Sequence, residues 1–179
     1  TDSAASATAM SSGVKTYNRT VGLDKNLNSV KSILEICRDK GYMTAIIATS
    51  TIVHATPASY YSKVKSRYQY DEIASQLSKS SINFFVGGGE KYFNDRLDGR
   101  NLMNEMDDYF FANSLESFKN NNSNKIGYLT YYDEPELEQD EYGWSDDNSS
   151  TTYHLNPLKF SNKTKFSQIN DINNFENNI

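Results

Sequence analysis

A largely parallel α/β sheet flanked by helices is the fold class this sequence predicts, and three observations predict it. The short apolar run Ala45-Ile46-Ile47-Ala48 reads as a buried strand. A helix-start signal at Thr56-Pro57 and a second helical spacing at Ile73 and Leu77 follow it. The apolar stretch from Ile82 to Val86 then runs straight into Gly87-Gly88-Gly89. Strand, helices, strand is the order of a βαβ unit, whose crossover makes the two strands parallel.

Each element has its own local reason. From Ser3 to about Ser12 the chain is Ala, Ser, Thr and Met behind an Asp-Ser pair, which suits an N-cap and the helix it starts. Leu27, Val30, Ile33, Leu34 and Cys37 recur at helical spacing, with Gly41 placed to end that helix and Cys37 read as a core thiol. Met43 to Ser50 is the first strand. Thr56 then caps a helix with Pro57 in its first turn, Tyr60, Tyr61 and Val64 face inward from it, and Arg67 closes it. Ile73 and Leu77 mark a further short helix, and Ile82 to Val86 the second strand, with the three glycines as a tight backbone turn. Gly99 to Met106 reads as another helix and Ile126 to Tyr131 as another strand. After Glu134 an acidic run gives way to an Asn-, Ser- and Lys-rich tail without periodicity, read as loop or disorder. The organisation is therefore an ordered region over 1–136 and a divergent or disordered tail over 137–179.

Composition narrows the classes. The chain has 179 residues, enough for one domain with a real core, but only 37% are hydrophobic. With a mean hydropathy of -0.71 this suits a globular region joined to something more polar. A formal charge of -5 argues against nucleic acid or an anionic membrane surface as the main partner. No apolar run approaches the ~20 residues that span a bilayer. The sequence opens at Thr1 with a motif already under way and shows no signal segment, which points to a processed or truncated chain.

Several residues have the chemistry for a phosphate site, and each also has a plainer reading. Ser3, behind Asp2 at the head of a helix, has its hydroxyl near free backbone N–H groups and the positive end of the helix dipole. Taken alone, Asp2-Ser3 is more often a capped helix without chemistry. His54 and Thr56 follow the carboxyl end of a parallel strand, where α/β proteins put their sites; Thr56 offers a hydroxyl suited to magnesium, and His54 can orient a metal-bound water. In isolation Thr56 is a helix cap and His54 a loop histidine. Arg67 has a fork of donors that grips phosphate, or it is a surface arginine at a helix end. The glycine triplet lacks the Lys-Ser/Thr ending of a nucleotide loop. His154 with Asp146 and Asp147 is a possible metal site, but one histidine in an irregular tail is more often solvated.

Together these residues match a known pattern. Thr1-Asp2-Ser3-Ala4-Ala5-Ser6-Ala7-Thr8-Ala9, followed by Gly13-Val14-Lys15-Thr16, resembles the nucleophile segment of the alkaline phosphatase family. His54-Ala55-Thr56-Pro57 after an apolar strand, and Arg67 beyond it, agree with that family in type and interval. Val86 to Gly89 with Lys91, Tyr92 and Phe93, then Asp98-Gly99-Arg100, resembles the stretch that follows, and the likeness extends to about Glu136. The resemblance implies part of an alkaline-phosphatase-like fold, incomplete in this chain, with 1–136 as a partial catalytic domain. It implies hydrolysis of phosphate monoesters, with Ser3 as the nucleophile that forms a phosphoserine, Arg67 binding the phosphate oxygens and Asp2 orienting Arg67. Two zinc ions and one magnesium ion are implied, with Ser3 and Thr56 as metal ligands and His54 in the outer shell of the magnesium site.

The resemblance also implies a homodimer in full-length form, in the periplasm, secreted or at the cell surface. With only two histidines, His54 and His154, the chain cannot complete two zinc sites, so it is expected to be inactive alone although its parent is active. The alternatives are a non-catalytic relative that binds phosphate through Asp2, Ser3 and Arg67, and a diesterase or sulfatase of the same superfamily. An unrelated α/β binding module would need the motif agreements to be coincidence.

Overall fold

Asp2 starts the first helix because its Oδ1 accepts the N–H of Ala5 at 3.0 Å, while its carbonyl accepts that of Ser6 at 3.0 Å. Helix α1 spans Ser3–Ser12, as its composition predicts, and Gly13 closes it with an N–H to the Ala9 carbonyl at 2.9 Å. The computed structural model describes residues 2–130. The acidic run, the tail over 137–179 and the candidates Asp146, Asp147 and His154 lie outside the described residues. The buried face of α1 is Ala4, Ala5, Ala7, Thr8 and Ser11, small enough for another helix to come close.

Helix α2 (Ile33–Asp39) begins later than the apolar spacing predicts. A capping box sets the start: Ser32 Oγ accepts the Glu35 N–H at 3.2 Å and Glu35 Oε2 accepts the Ser32 N–H at 2.8 Å. Leu27 therefore lies upstream in a loop, with φ +63°. Of the residues in α2 only Leu34 is buried, since so short a helix lays a single ridge on the core, and Cys37 is half-buried rather than a core thiol.

Among the described residues four strands form one sheet in the order β1-β2-β4-β3, all parallel: β1 (Ala45–Thr51), β2 (Phe84–Gly88), β3 (Phe110–Ala112) and β4 (Ile126–Thr130). The predicted parallel α/β class is what forms. Among the described residues β1 stands at the end of the strand order, and only one of its faces is covered: Ile46 is buried and Ile47 is 54% exposed. Register sets Phe85 of β2 opposite Ile46 and Gly127. Phe85 is fully buried, with Phe93, Tyr109 and Phe111 around it at ring separations of 5.6–6.5 Å. A side chain at Gly127 would meet the Phe85 ring at 2.5 Å, so the glycine is what lets the aromatic core close over β4.

The segment after β1 departs most from expectation. Helix α3 is one turn, Ala55–Ala58, with His54 rather than Thr56 at the cap position and no side-chain cap bond. Tyr61 and Val64 are buried as predicted, but from irregular backbone: the Tyr61 hydroxyl donates to the Ile52 carbonyl at 2.8 Å, and Val64 forms an antiparallel bridge with Val21. Helix α4 (Tyr70–Ser78) buries Ile73 and Leu77. β2 then ends on Gly87 and Gly88, and Gly89 turns at φ +92°, where an added side-chain carbon would lie 2.0 Å from Thr51 Oγ1. Helix α5 (Lys91–Asn94), helix α6 (Leu102–Glu105) and helix α7 (Leu115–Asn120) complete the described region. α6 is shorter than the predicted Gly99 to Met106 because Asn101 caps it, accepting the Asn104 N–H at 3.1 Å. No helix among the described residues is long and apolar enough to cross a membrane.

Candidate active site

Ser3 is the first residue of α1, exposed, with Asp2 behind it as the cap. Helix geometry therefore sets the hydroxyl at the positive end of the dipole, where negative charge is favoured. The helix is fixed from below. Ser11 Oγ donates to the Ser59 carbonyl at 2.8 Å, Thr8 Oγ1 lies 3.4 Å from Ser59 Oγ, and the Gly22 N–H donates to Thr8 Oγ1 at 3.0 Å. α1 is thereby packed on α3, just beyond the carboxyl end of β1.

Arg67 reaches this helix through a loop, not from the end of a helix as the sequence predicts. Ser59 Oγ turns back to the Ala55 carbonyl at 2.7 Å as α3 ends, and the chain then pairs with the segment before it. Val21 and Val64 exchange backbone hydrogen bonds at 3.0 and 2.9 Å, and the Arg67 N–H donates to the Arg19 carbonyl at 2.7 Å. That short pairing delivers the side chain: Arg67 Nη1 donates to Ser3 Oγ at 2.7 Å across 64 positions of sequence. The side chain is 22% exposed, and its Nε is buried without an acceptor.

Asp2 joins the two. Its Oδ2 lies 3.5 Å from Arg67 Nη1 and accepts the Arg19 N–H at 3.0 Å, while Asn18 Oδ1 accepts the Asp2 N–H at 3.3 Å. Burial by itself raises the Asp2 carboxyl, but the N–H groups of Ala5 and Arg19 and the Arg67 guanidinium outweigh it and hold the group below its ordinary range. Asp2 is thus a carboxylate at neutral pH, and Arg67 keeps its counterion. A cation donating to Ser3 Oγ favours the alkoxide, the nucleophilic form of a hydroxyl.

The structure brings Asp2, Ser3 and Arg67 together, and it puts Thr56 on the neighbouring α3 with His54 at that helix's cap position. Thr56 is exposed there, with no hydrogen bond joining it to Ser3. His54 is half-buried, its ring 6.2 Å from that of Tyr70. Hydroxyls and one imidazole are suitable donors for hard and borderline cations, yet among the described residues no three His, Cys, Asp or Glu side chains gather to hold a metal. The donor set among the described residues is therefore incomplete. Asn18, Arg19 and Tyr68 also border the site and carry no sequence motif; their one signal is that Tyr68 adjoins Arg67 and Asn18-Arg19 is a polar turn.

The sequence and the fold both have known relatives. A family model for alkaline phosphatase matches residues 1–129. Alkaline phosphatase 4 of Bacillus subtilis (strain 168) is 40% identical over 134 residues, which are 70% of this chain and 29% of that protein. The repressible alkaline phosphatase of Saccharomyces cerevisiae is 36% identical over 123 residues, 59% of this chain and 22% of that protein. The solved structure of alkaline phosphatase from the Antarctic bacterium TAB5 matches with a TM-score of 0.70 at 34% identity, covering 79% of this chain and 43% of that one. The chain spans less than a third of the length of these curated relatives. The match over residues 1–129, on a parallel sheet flanked by helices, means that the chain belongs to the alkaline phosphatase family.

Proposed function

We propose that the protein built on these residues hydrolyses phosphate monoesters through a covalent phosphoserine on Ser3. The observation that carries the reading is the 2.7 Å donation from Arg67 Nη1 to Ser3 Oγ at the start of α1. A phosphoryl group beside Ser3 meets the helix dipole and the Arg67 fork, which grips two non-bridging oxygens and holds phosphorus in line with Oγ. Ser3 Oγ attacks phosphorus, losing its proton, and the bond from phosphorus to the ester oxygen breaks. The departing alkoxide takes up a proton and leaves as the alcohol. Water then adds to phosphorus, the bond to Ser3 Oγ breaks, and phosphate and free serine result. Asp2 keeps Arg67 aimed through both displacements.

Two zinc ions and one magnesium ion belong to this reading, with Ser3, Thr56 and, in the outer shell, His54 as this chain's donors. Such ions supply charge neutralisation at the attacking and leaving oxygens. Because the donors among the described residues are incomplete, the 179-residue chain alone is proposed to be inactive. A homodimer in the full-length form and a location in the periplasm, outside the cell or at its surface belong to the same reading.

The test is steady-state turnover of p-nitrophenyl phosphate with added zinc and magnesium. Full-length protein turns over, and Ser3→Ala loses at least about 10⁴-fold in kcat, as nucleophile removals do. The 179-residue chain shows no turnover above its own Ser3→Ala control. Full-length protein that binds phosphate but never turns over would make this a non-catalytic relative instead, and serine-dependent turnover by the short chain would overturn its proposed inactivity.

A further inference from the structure

Arg19 is held in the left-handed region at φ +69°, where a side chain is strained and glycine is not. Its backbone is needed there, because the N–H donates to Asp2 Oδ2 and the carbonyl accepts from Arg67. Any residue supplies those two groups, and glycine would do so without strain. The backbone therefore does not explain an arginine at this position, and the side chain has to.

The Arg19 guanidinium lies 5.9 Å from the centre of the Tyr68 ring, and the Arg67 guanidinium lies at that same distance from the same ring. The two cations are thus at most twice that distance apart, and the second of them touches Ser3. Among the described residues Arg38, Arg67, Arg96 and Arg100 each pair with a carboxylate, while Arg19 has neither an ion pair nor a side-chain hydrogen bond. Arg19 and Tyr68 are both exposed. Two guanidiniums near one ring repel each other, and an anion lying near both relieves that repulsion. A planar fork of donors without a counterion among the described residues, next to a phosphate-gripping arginine, suits a second carboxylate or phosphate.

We propose that Arg19, steadied on Tyr68, recognises a second anionic group on the substrate, several bonds from the ester that is cleaved. The proposal rests on the phosphatase reading and narrows it to a substrate class, monoesters that carry another negative charge. Arg19 selects such substrates and does not touch the reacting atoms.

The test compares 6-phosphogluconate with glucitol 6-phosphate, which differ by a carboxylate in place of a hydroxymethyl group. Full-length protein is assayed as the natural form, as Arg19→Gly, which keeps the backbone conformation unstrained, and as Arg19→Lys. The natural form should favour the phosphogluconate in kcat/KM by about fivefold, the size of one exposed charge pair. Arg19→Gly should lose that preference through KM, leave glucitol 6-phosphate within about twofold, and be partly rescued by lysine. The preference should also fade at about 0.5 M salt. Equal losses on both substrates, or no change in the ratio, would overturn the proposal. Calorimetric binding of the same two esters to Ser3→Ala, with and without Arg19→Gly, reads the ratio without turnover. A binding preference that depends on Arg19 in a protein that hydrolyses neither ester would keep the subsite and sink the phosphatase reading. An unchanged binding ratio sinks the subsite whatever the turnover.

Discussion

Asp2 does three jobs with one carboxylate: it caps α1 through Ala5, anchors the turn at Arg19, and balances Arg67. Its folded pKa is lowered, so its contribution to stability is present above the ordinary carboxylate value of about 4 and is lost as pH falls through the folded value. Asp2→Ala should cost about 1 kcal/mol, the usual scale of a lost cap, measured by urea unfolding at neutral pH. The deficit should shrink as the pH is taken below about 4, because the natural protein then loses the same interaction. A deficit independent of acid pH would show that the carboxylate charge is not what stabilises the turn. Asp98 extends the pattern away from the site, held down to about 2 by its bond with Arg96.

At the scale of elements, the pieces with local instructions are the ones legible in the chain. Asp2 and Ser3 announce α1, Ile73 and Leu77 announce α4, and an apolar run into glycines announces β2. The segment from Ser59 to Arg67 has no such instruction, because its backbone pairs with residues near Val21 rather than with itself. Gly22 is the hinge of that pairing: at φ +63° an added side-chain carbon would lie 2.0 Å from the Ser62 carbonyl oxygen. Gly22→Ala should therefore destabilise by roughly 3 kcal/mol or more, combining backbone strain with overpacking. Urea unfolding checks the cost, and turnover in the full-length protein should fall with it because Arg67 is displaced. A loss under about 1 kcal/mol would mean that the 62–67 segment yields easily and does not position Arg67.

For the whole molecule, the buried Tyr61 and the half-buried Tyr109 should weaken the fold at alkaline pH. Burial pushes the Tyr61 hydroxyl well up, and burial with the nearby Asp108 raises that of Tyr109, whose hydroxyl donates to the Ile82 carbonyl. A raised folded pKa means stability that is fully present below the unfolded value of about 10 and is lost as pH climbs toward the folded value. Tyr61→Phe should cost about 1 kcal/mol at neutral pH, since the Ile52 carbonyl loses its buried donor. Its stability should then fall less steeply than that of the natural protein above about pH 10. Urea midpoints across that range decide it, and parallel curves would show that Tyr61 is not a source of the alkaline loss.

The sequence by itself determined the parallel α/β class, the start of α1 at Asp2 and Ser3, and the family, because each rests on neighbours within a few residues or on a contiguous motif. Only the tertiary structure decided that Arg67 leaves a loop to meet Ser3, that one face of β1 is uncovered with Ile47 exposed, and that Arg19 stands over the Tyr68 ring beside the site. The β3 strand, three residues long, likewise exists only because β4 is there to pair with it. These are contacts between distant positions, and local spacing carries no record of which strand lies outermost or which loop is bridged to which.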